Sequence, residues 1–282
     1  MPAVRTMVAT ASSRSSPGAG LSSLGRQAGV LVTVACYSVL APFGYAVLAL
    51  LCLLWRRNPP RRARRLQTIT SRAYRVMHGW LRLSRLVDFD WSSAWSARSG
   101  DGVPRGGCVV IANHPTLVDV TAITAALGGA ISIVKPGLFR RAMIRPLLVG
   151  LGHVEGPGPD PIRAGRVVDD VVQHLSWGIP VVIFPEGTRS PAGDLGAFGR
   201  VAFEIACRAQ VPLVSLGITC DPVYLSKERG PFRPPPRTPR LRIELLAVDA
   251  PEPEQSSRSL RARCEARYRA WIDEVAAGAR GS

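Results

Sequence analysis

The sequence predicts an α/β fold, a mostly parallel central sheet flanked by helices, preceded by an N-terminal membrane-anchoring helical segment. Three observations carry this expectation. Short apolar runs of strand length alternate with helix-length periodic segments through the body, as parallel strands joined by helical crossovers require. One 26-residue stretch, Val30 to Trp55, holds no charge. The positive charge also clusters around that stretch: before Asp88, the first acidic residue, lie 13 Arg and no Lys, while the rest carries 23 basic and 20 acidic residues. A net charge of +16 spread over a folded platform would point to nucleic acid. Here it flanks an apolar run, which points to a membrane with anionic lipids and away from nucleic acid.

Residues 1–29, rich in Ser, Ala and Gly, read as a disordered tail. Residues 30–55 are long enough to span a bilayer and too long for a signal-peptide core of about 7–15 residues. Arg56, Arg57, Arg61, Arg62, Arg64 and Arg65 follow at once and place that flank in the cytoplasm. Pro42 and Gly44 near the middle leave two arrangements open, a transmembrane helix or a re-entrant hairpin. Within residues 56–87, Leu66, Ile69, Ala73, Val76, Met77, Trp80, Leu83 and Val87 recur at helical spacing between arginines. This basic amphipathic helix suits anionic headgroups, or packing against the body.

Residues 88–250 form the main domain. Strands are expected at Cys108–Ala112, Ile131–Val134, Val154, Ile179–Phe184, Leu213–Ile218 and Leu241–Leu246. Helices are expected at Leu117–Leu127, within the mixed stretch Pro136–Leu151, and at Gly199–Ala209. Another starts at Asp160-Pro161, an N-cap followed by Pro at the first helical position, and runs to about Trp177. Pro-rich residues 231–239 read as an extended loop. Residues 251–282 hold a charged terminal helix, Arg258–Ala277. The six cysteines are scattered without a Cys-x-x-Cys pair, so they read as reduced packing residues facing the cytosol. Lys135 and Lys227 are the only lysines, a usage that suits a GC-rich bacterial genome.

Two constellations carry chemistry. Asn113-His114-Pro115-Thr116-Leu117-Val118-Asp119 follows the first core strand. In one continuous helix, positions five apart lie about 140° apart around the axis, too far to touch. His114 therefore belongs in the strand–helix turn, with Pro115 at the helix start and Asp119 about one turn inside. Asp119 then accepts from one imidazole nitrogen and the other faces a cleft, the base and orienting acid of acyl-transfer chemistry. The second constellation, Phe184-Pro185-Glu186-Gly187-Thr188-Arg189-Ser190, follows a buried strand, where open α/β sheets place ligands. Glu186, Thr188 and Arg189 offer an acceptor, a hydroxyl and a bidentate phosphate donor, and Gly187 allows close backbone approach.

Together these residues resemble the glycerolipid and lysophospholipid acyltransferase family. Asn-His-x4-Asp matches its first motif, Phe-Pro-Glu-Gly-Thr-Arg-Ser its third, and Val211-Pro212-Leu213-Val214 the start of its fourth. Lys135 matches a basic position that helps hold the acceptor phosphate. The resemblance covers roughly residues 70–250. It implies a glycerol-3-phosphate acyltransferase-like fold and an enzyme of the 1-acylglycerol-3-phosphate O-acyltransferase type. His114 would deprotonate the free hydroxyl of a lysophospholipid, with Asp119 holding its tautomer. That oxygen would attack the thioester of acyl-CoA or acyl-carrier protein, with no metal or bound cofactor. Lys135, Glu186, Gly187, Thr188 and Arg189 would bind the acceptor, and the enzyme would sit on the inner membrane facing the cytoplasm.

The chain departs from the family at its second motif. Where an Arg usually follows a short strand, it reads Gly152-His153-Val154-Glu155-Gly156. Arg163 or Arg166 could substitute, with lost register. Ser215 replaces a second Pro in the fourth motif. These departures leave the catalytic pair intact and put acceptor identity in question. The acceptor is read as 1-acyl-sn-glycerol-3-phosphate, the product being phosphatidic acid. A lyso-ornithine lipid or a specialised lipid or pigment precursor is the alternative acceptor, and a non-catalytic membrane-binding protein the alternative class. His78 is read as interfacial, His174 as satisfied within its helix, and His153 as a candidate to line the acceptor site.

Overall fold

A computed structural model describes residues 23–91, 103–104, 106–158, 160–191, 194–227, 230 and 232–280. Two helices lead: α1, Ser23–Leu54, and α2, Pro59–Leu83. They are followed by β1 (Asp88–Asp90), β2 (Val109–Ala112), α3 (Asp119–Leu127), β3 (Ile131–Val134), α4 (Pro136–Phe139), α5 (Arg145–Gly150) and β4 (Val154–Glu155). Then come α6 (Pro161–Ser176), β5 (Val181–Ile183), α7 (Val201–Ala209), β6 (Leu213–Asp221), β7 (Arg240–Asp249) and α8 (Ser257–Arg280).

The strands form one sheet in the order β1-β7-β6-β2-β5-β3-β4. The block β6-β2-β5-β3-β4 is parallel throughout. β7 runs antiparallel to β6, and β1 pairs parallel with β7. The carboxyl ends of β2, β3, β4, β5 and β6 therefore share one edge, and their loops open there.

Alternation along the strands builds two cores. Val109 and Ile111 of β2 point to the face covered by α6, α7 and α8, packing with Val171, Phe203 and Tyr268. Val110 and Ala112 point to the face covered by α1, α2 and α3, packing with Val30, Leu81 and Ile123. Both faces are covered, which is why the strands read as continuous apolar runs. On the first face Tyr268 also ties two strands together: its buried hydroxyl reaches the carbonyls of Ile111 (3.0 Å) and Leu216 (2.7 Å).

Asp160 caps α6, accepting from the Ile162 N–H at 2.9 Å, with Pro161 at the first helical position as expected. Three readings change. β1 is absent from the expected strands because its Asp-Phe-Asp sequence is two-thirds acidic; it holds its edge position by pairing with Arg240–Arg242. α3 begins at Asp119, two residues later than expected, so Asp119 opens the helix and Pro115 lies in the turn before it. α1 begins at Ser23, inside the stretch read as tail; residues 1–22 lie outside the described residues.

The apolar stretch at 30–55 was expected to be a span or a hairpin. It is one helix running through Pro42, not the two arms of a hairpin. Its first turns dock on the body: Arg26, Val30 and Thr33 are buried, and Arg26 donates to the Pro235 carbonyl at 3.4 Å. Thr33 accepts from the Trp80 indole of α2 at 3.1 Å. Among the described residues no helix is long and apolar enough to cross a membrane. Further along, Phe43, Leu50, Leu53 and Leu54 remain exposed.

Candidate active site

β2 ends at Ala112, and Asn113 extends its pairing with a side chain. Its amide donates to the Ile218 carbonyl (2.9 Å) and accepts from the Ile218 N–H (2.7 Å). The turn that follows delivers His114 to the carboxyl edge of the sheet. His114 Nδ1 lies 2.8 Å from Asp119 Oδ2. Asp119 is wholly buried, while the His114 side chain keeps 20% exposure. The pair predicted from spacing is thus formed, with the acid at the helix start.

The Asp119 carboxyl is surrounded by donors. The Thr116 N–H donates to Oδ2 at 2.7 Å, and the Thr116 hydroxyl donates to Oδ1. That hydroxyl accepts from the Val118 N–H at 3.3 Å, which leaves its proton for Asp119. Burial pushes the Asp119 carboxyl up from the ordinary range, and the His114 and Thr116 bonds oppose that shift. Every donor aimed at it, and its place in the first turn of α3, favour the anion. An anion at Oδ2 fixes the proton of His114 on Nδ1. Nε2 is left as the basic nitrogen, with no partner among the described residues. The Phe184 ring stacks on the imidazole at 4.1 Å between centroids and shields its other face.

The second constellation forms the neighbouring turn after β5. Its Glu186 does not reach outward. Oε1 accepts from the Ser190 hydroxyl and from the His114 N–H at 3.3 Å, and Oε2 accepts from the Gly196 N–H at 2.7 Å. Gly187 turns with a φ of 64°, a left-handed conformation that favours glycine, with open space above it. Gly187 and Thr188 are exposed. Arg189 anchors Nη1 on the carbonyls of Ser226 (2.5 Å) and Leu225 (3.5 Å), leaving Nε and Nη2 without a partner among the described residues. Lys135 is exposed at the end of β3, on the same sheet edge.

The second-motif departure has a structural account. Glu155 accepts from Arg140 Nε at 2.7 Å. His153 turns inward, its Nδ1 accepting from the Ser132 N–H at 2.9 Å, and burial pushes its imidazole down to about 4. It ties β3 to the approach of β4. Arg163 pairs with Asp160 at 3.4 Å. His78 is buried between α2 and α3, its Nε2 3.1 Å from the Thr121 hydroxyl. Sequence reasoning left Asn113 and Ser190 without roles although both stand inside the quoted motifs. Their signal was position alone, since their partners come from distant segments.

Residues 97–219 match the family model described as Acyltransferase. The chain is 31% identical over 109 residues to the chloroplastic 1-acyl-sn-glycerol-3-phosphate acyltransferase BAT2 of Brassica napus, covering 39% of this chain and 32% of that protein. It is 33% identical over 129 residues to human 1-acyl-sn-glycerol-3-phosphate acyltransferase alpha, covering 43% of this chain and 44% of that one. The matches thus span less than half of either relative. Its fold is that of the 1-acyl-sn-glycerophosphate acyltransferase PlsC of Thermotoga maritima, with a TM-score of 0.64 at 19% identity, covering 90% of this chain and 96% of that one. The His114–Asp119 pair and the Glu186–Ser190 turn stand side by side at one sheet edge inside the region that is similar to the Acyltransferase family model.

Proposed function

We propose that this protein is a membrane-bound O-acyltransferase that moves an acyl chain from acyl-CoA or acyl-carrier protein to the free hydroxyl of a lysophospholipid. The acceptor named by the curated relatives, 1-acyl-sn-glycerol-3-phosphate, is the one proposed here. The observation that carries the reading is the 2.8 Å bond from His114 Nδ1 to a fully buried Asp119, which leaves Nε2 free as a base. Nε2 takes the hydroxyl proton as the acceptor oxygen attacks the thioester carbonyl. The C–S bond breaks as the tetrahedral adduct collapses, and the imidazolium returns its proton to the leaving thiolate. Asp119 stabilises that imidazolium. No resident metal or cofactor enters these steps. Lys135 and the free face of the Arg189 guanidinium supply cations for the acceptor phosphate, and exposed Gly187 and Thr188 border the space between them.

Membrane attachment belongs to the same reading, at the cytoplasmic face of an inner membrane. The exposed Phe43, Leu50 and Leu54 of α1 supply apolar contact, and the arginines of α2 attract anionic headgroups. The test is acyl transfer by the purified protein in phospholipid vesicles, with labelled acyl-CoA and acyl-carrier protein against lysophosphatidate and a panel of other lyso-lipids. Transfer to lysophosphatidate that His114→Ala lowers by at least about a hundredfold is the expected result. His114-dependent transfer confined to another acceptor would keep the chemistry and replace the substrate. No His114-dependent transfer from folded protein would overturn the assignment.

A further inference from the structure

We propose that Ser190 and Glu186 are positioning residues that lock the main chain of His114 from the neighbouring turn, and that the Glu186 carboxylate does not contact the acceptor. The inference rests on the catalytic role proposed for His114. Both main-chain polar groups of His114 are held by this turn: its N–H donates to Ser190 Oγ at 2.8 Å, and its carbonyl accepts from the Ser190 N–H at 2.8 Å. The Ser190 hydroxyl donates in turn to Glu186 Oε1, and Glu186 Oε2 accepts from the Gly196 N–H at 2.7 Å. The seat is closely fitted. A Cβ on Gly196 would lie 2.8 Å from Glu186 Oε2, and Ser190 is 4% exposed.

The need for such a lock follows from the fold. Asp119 orients the ring, but the helix that carries Asp119 begins only there, so the turn from Asn113 to Val118 has no helical bonds of its own to hold the His114 backbone. A misplacement of about 1 Å at a base costs roughly a hundredfold in rate. Charge points the same way. A carboxylate beside a bound phosphate would repel it, whereas one committed to three donors within the protein holds two loops together.

The test uses the full chain in vesicles, with Ser190→Ala, Ser190→Thr and Glu186→Gln beside wild type and His114→Ala. Each is assayed with a phosphate-bearing lyso-lipid and an uncharged monoacylglycerol. Ser190→Ala and Glu186→Gln are expected to lower kcat by roughly ten- to a hundredfold, with acceptor KM held within about threefold. Ser190→Thr, which keeps the hydroxyl, should recover most of kcat. The kcat/KM ratio between the two acceptors should stay at its wild-type value. A raised KM with kcat kept, or a shifted acceptor ratio in Glu186→Gln, would establish acceptor contact and overturn the proposal. If wild type shows no His114-dependent transfer, the functional reading has failed, and the lock is read from the ring itself by nitrogen NMR. A single Nδ1–H tautomer in wild type that becomes mixed in Ser190→Ala supports it, and an unchanged tautomer overturns it. Should Ser190→Ala not fold, Glu186→Gln and Ser190→Thr carry the same readouts.

Discussion

Asp119 shows how one side chain sets the state of another. Three donors converge on its two oxygens: a main-chain N–H, a hydroxyl that itself accepts from Val118, and the His114 ring. Asp119→Asn keeps the shape and brings an NH2 group against that set. An NH2 in place of Oδ1 would face the Thr116 hydroxyl, and one in place of Oδ2 would face the Thr116 N–H and push the ring proton onto Nε2; in either placement the negative charge that stabilises the imidazolium is lost. We expect kcat to fall by roughly a thousandfold or more with acceptor KM little changed, measured by steady-state transfer. A loss confined to KM would mean that Asp119 acts on binding. The pairing of His114 with Asp119 was legible in the sequence because both ends lie within one short turn. The seat of Glu186 was not. Its partners, Gly196 and His114, stand 10 and 72 residues away, and a carboxylate in a strand-end loop looks the same whether it faces a ligand or the protein.

At the scale of elements, the C-terminal helix reaches through the core to the strand that delivers His114. Tyr268 of α8 places its hydroxyl between the Ile111 carbonyl of β2 and the Leu216 carbonyl of β6. Ile111 stands three residues before His114. Tyr268→Phe leaves the ring packing in place and two buried carbonyls short of a donor, at a cost of about 1–3 kcal/mol. Urea unfolding should show that loss with an unchanged m-value, and activity should fall less than stability at moderate temperature. No change in the midpoint would mean that the carbonyls find another donor. Short continuous apolar runs and the Asp160-Pro161 cap made strands and helices readable in the sequence. The edge strand β1 was hidden because its acids, not apolar residues, face the arginines of β7: Asp90 bonds Arg240 at 2.7 Å.

The whole molecule holds two imidazoles in their neutral form at the joints between layers. His78 fastens α2 to α3, and His153 fastens β3 to the segment entering β4. Burial pushes each down to about 4 from the ordinary 6.5. A depressed histidine binds its proton more readily in the unfolded chain. Stability is therefore full above about pH 6.5 and is lost as pH falls toward 4. For His78, which is buried, the loss is of order 3 kcal/mol. Melting temperature measured between pH 7.5 and 4.5 should drop along that window, and His78→Gln should flatten part of the slope. An unchanged slope would place the acid sensitivity elsewhere.

The same scale decides how the site meets its acceptor. Leu117, Leu138, Met143, Val149 and Val223 are exposed, and all lie in the turns and short helices α4 and α5 that follow the carboxyl ends of β2, β3 and β6, the edge that carries His114. Arg140, Arg141 and Arg145 stand among them. On the membrane-bound reading proposed above, this apolar rim studded with arginines would enter the headgroup layer, so that the acceptor hydroxyl reaches His114 without leaving the bilayer. The paired change Leu138→Glu and Met143→Glu tests this, because both side chains are exposed and neither touches the catalytic pair. Cosedimentation with anionic vesicles should weaken several-fold, and transfer to a long-chain lyso-lipid in those vesicles should fall in step. Transfer to a short-chain acceptor dissolved as monomer should remain at the wild-type rate, because the chemistry at His114 is untouched. Loss of activity on both acceptors would show damage to the site itself, and unchanged vesicle binding would leave attachment to α1 and α2 alone.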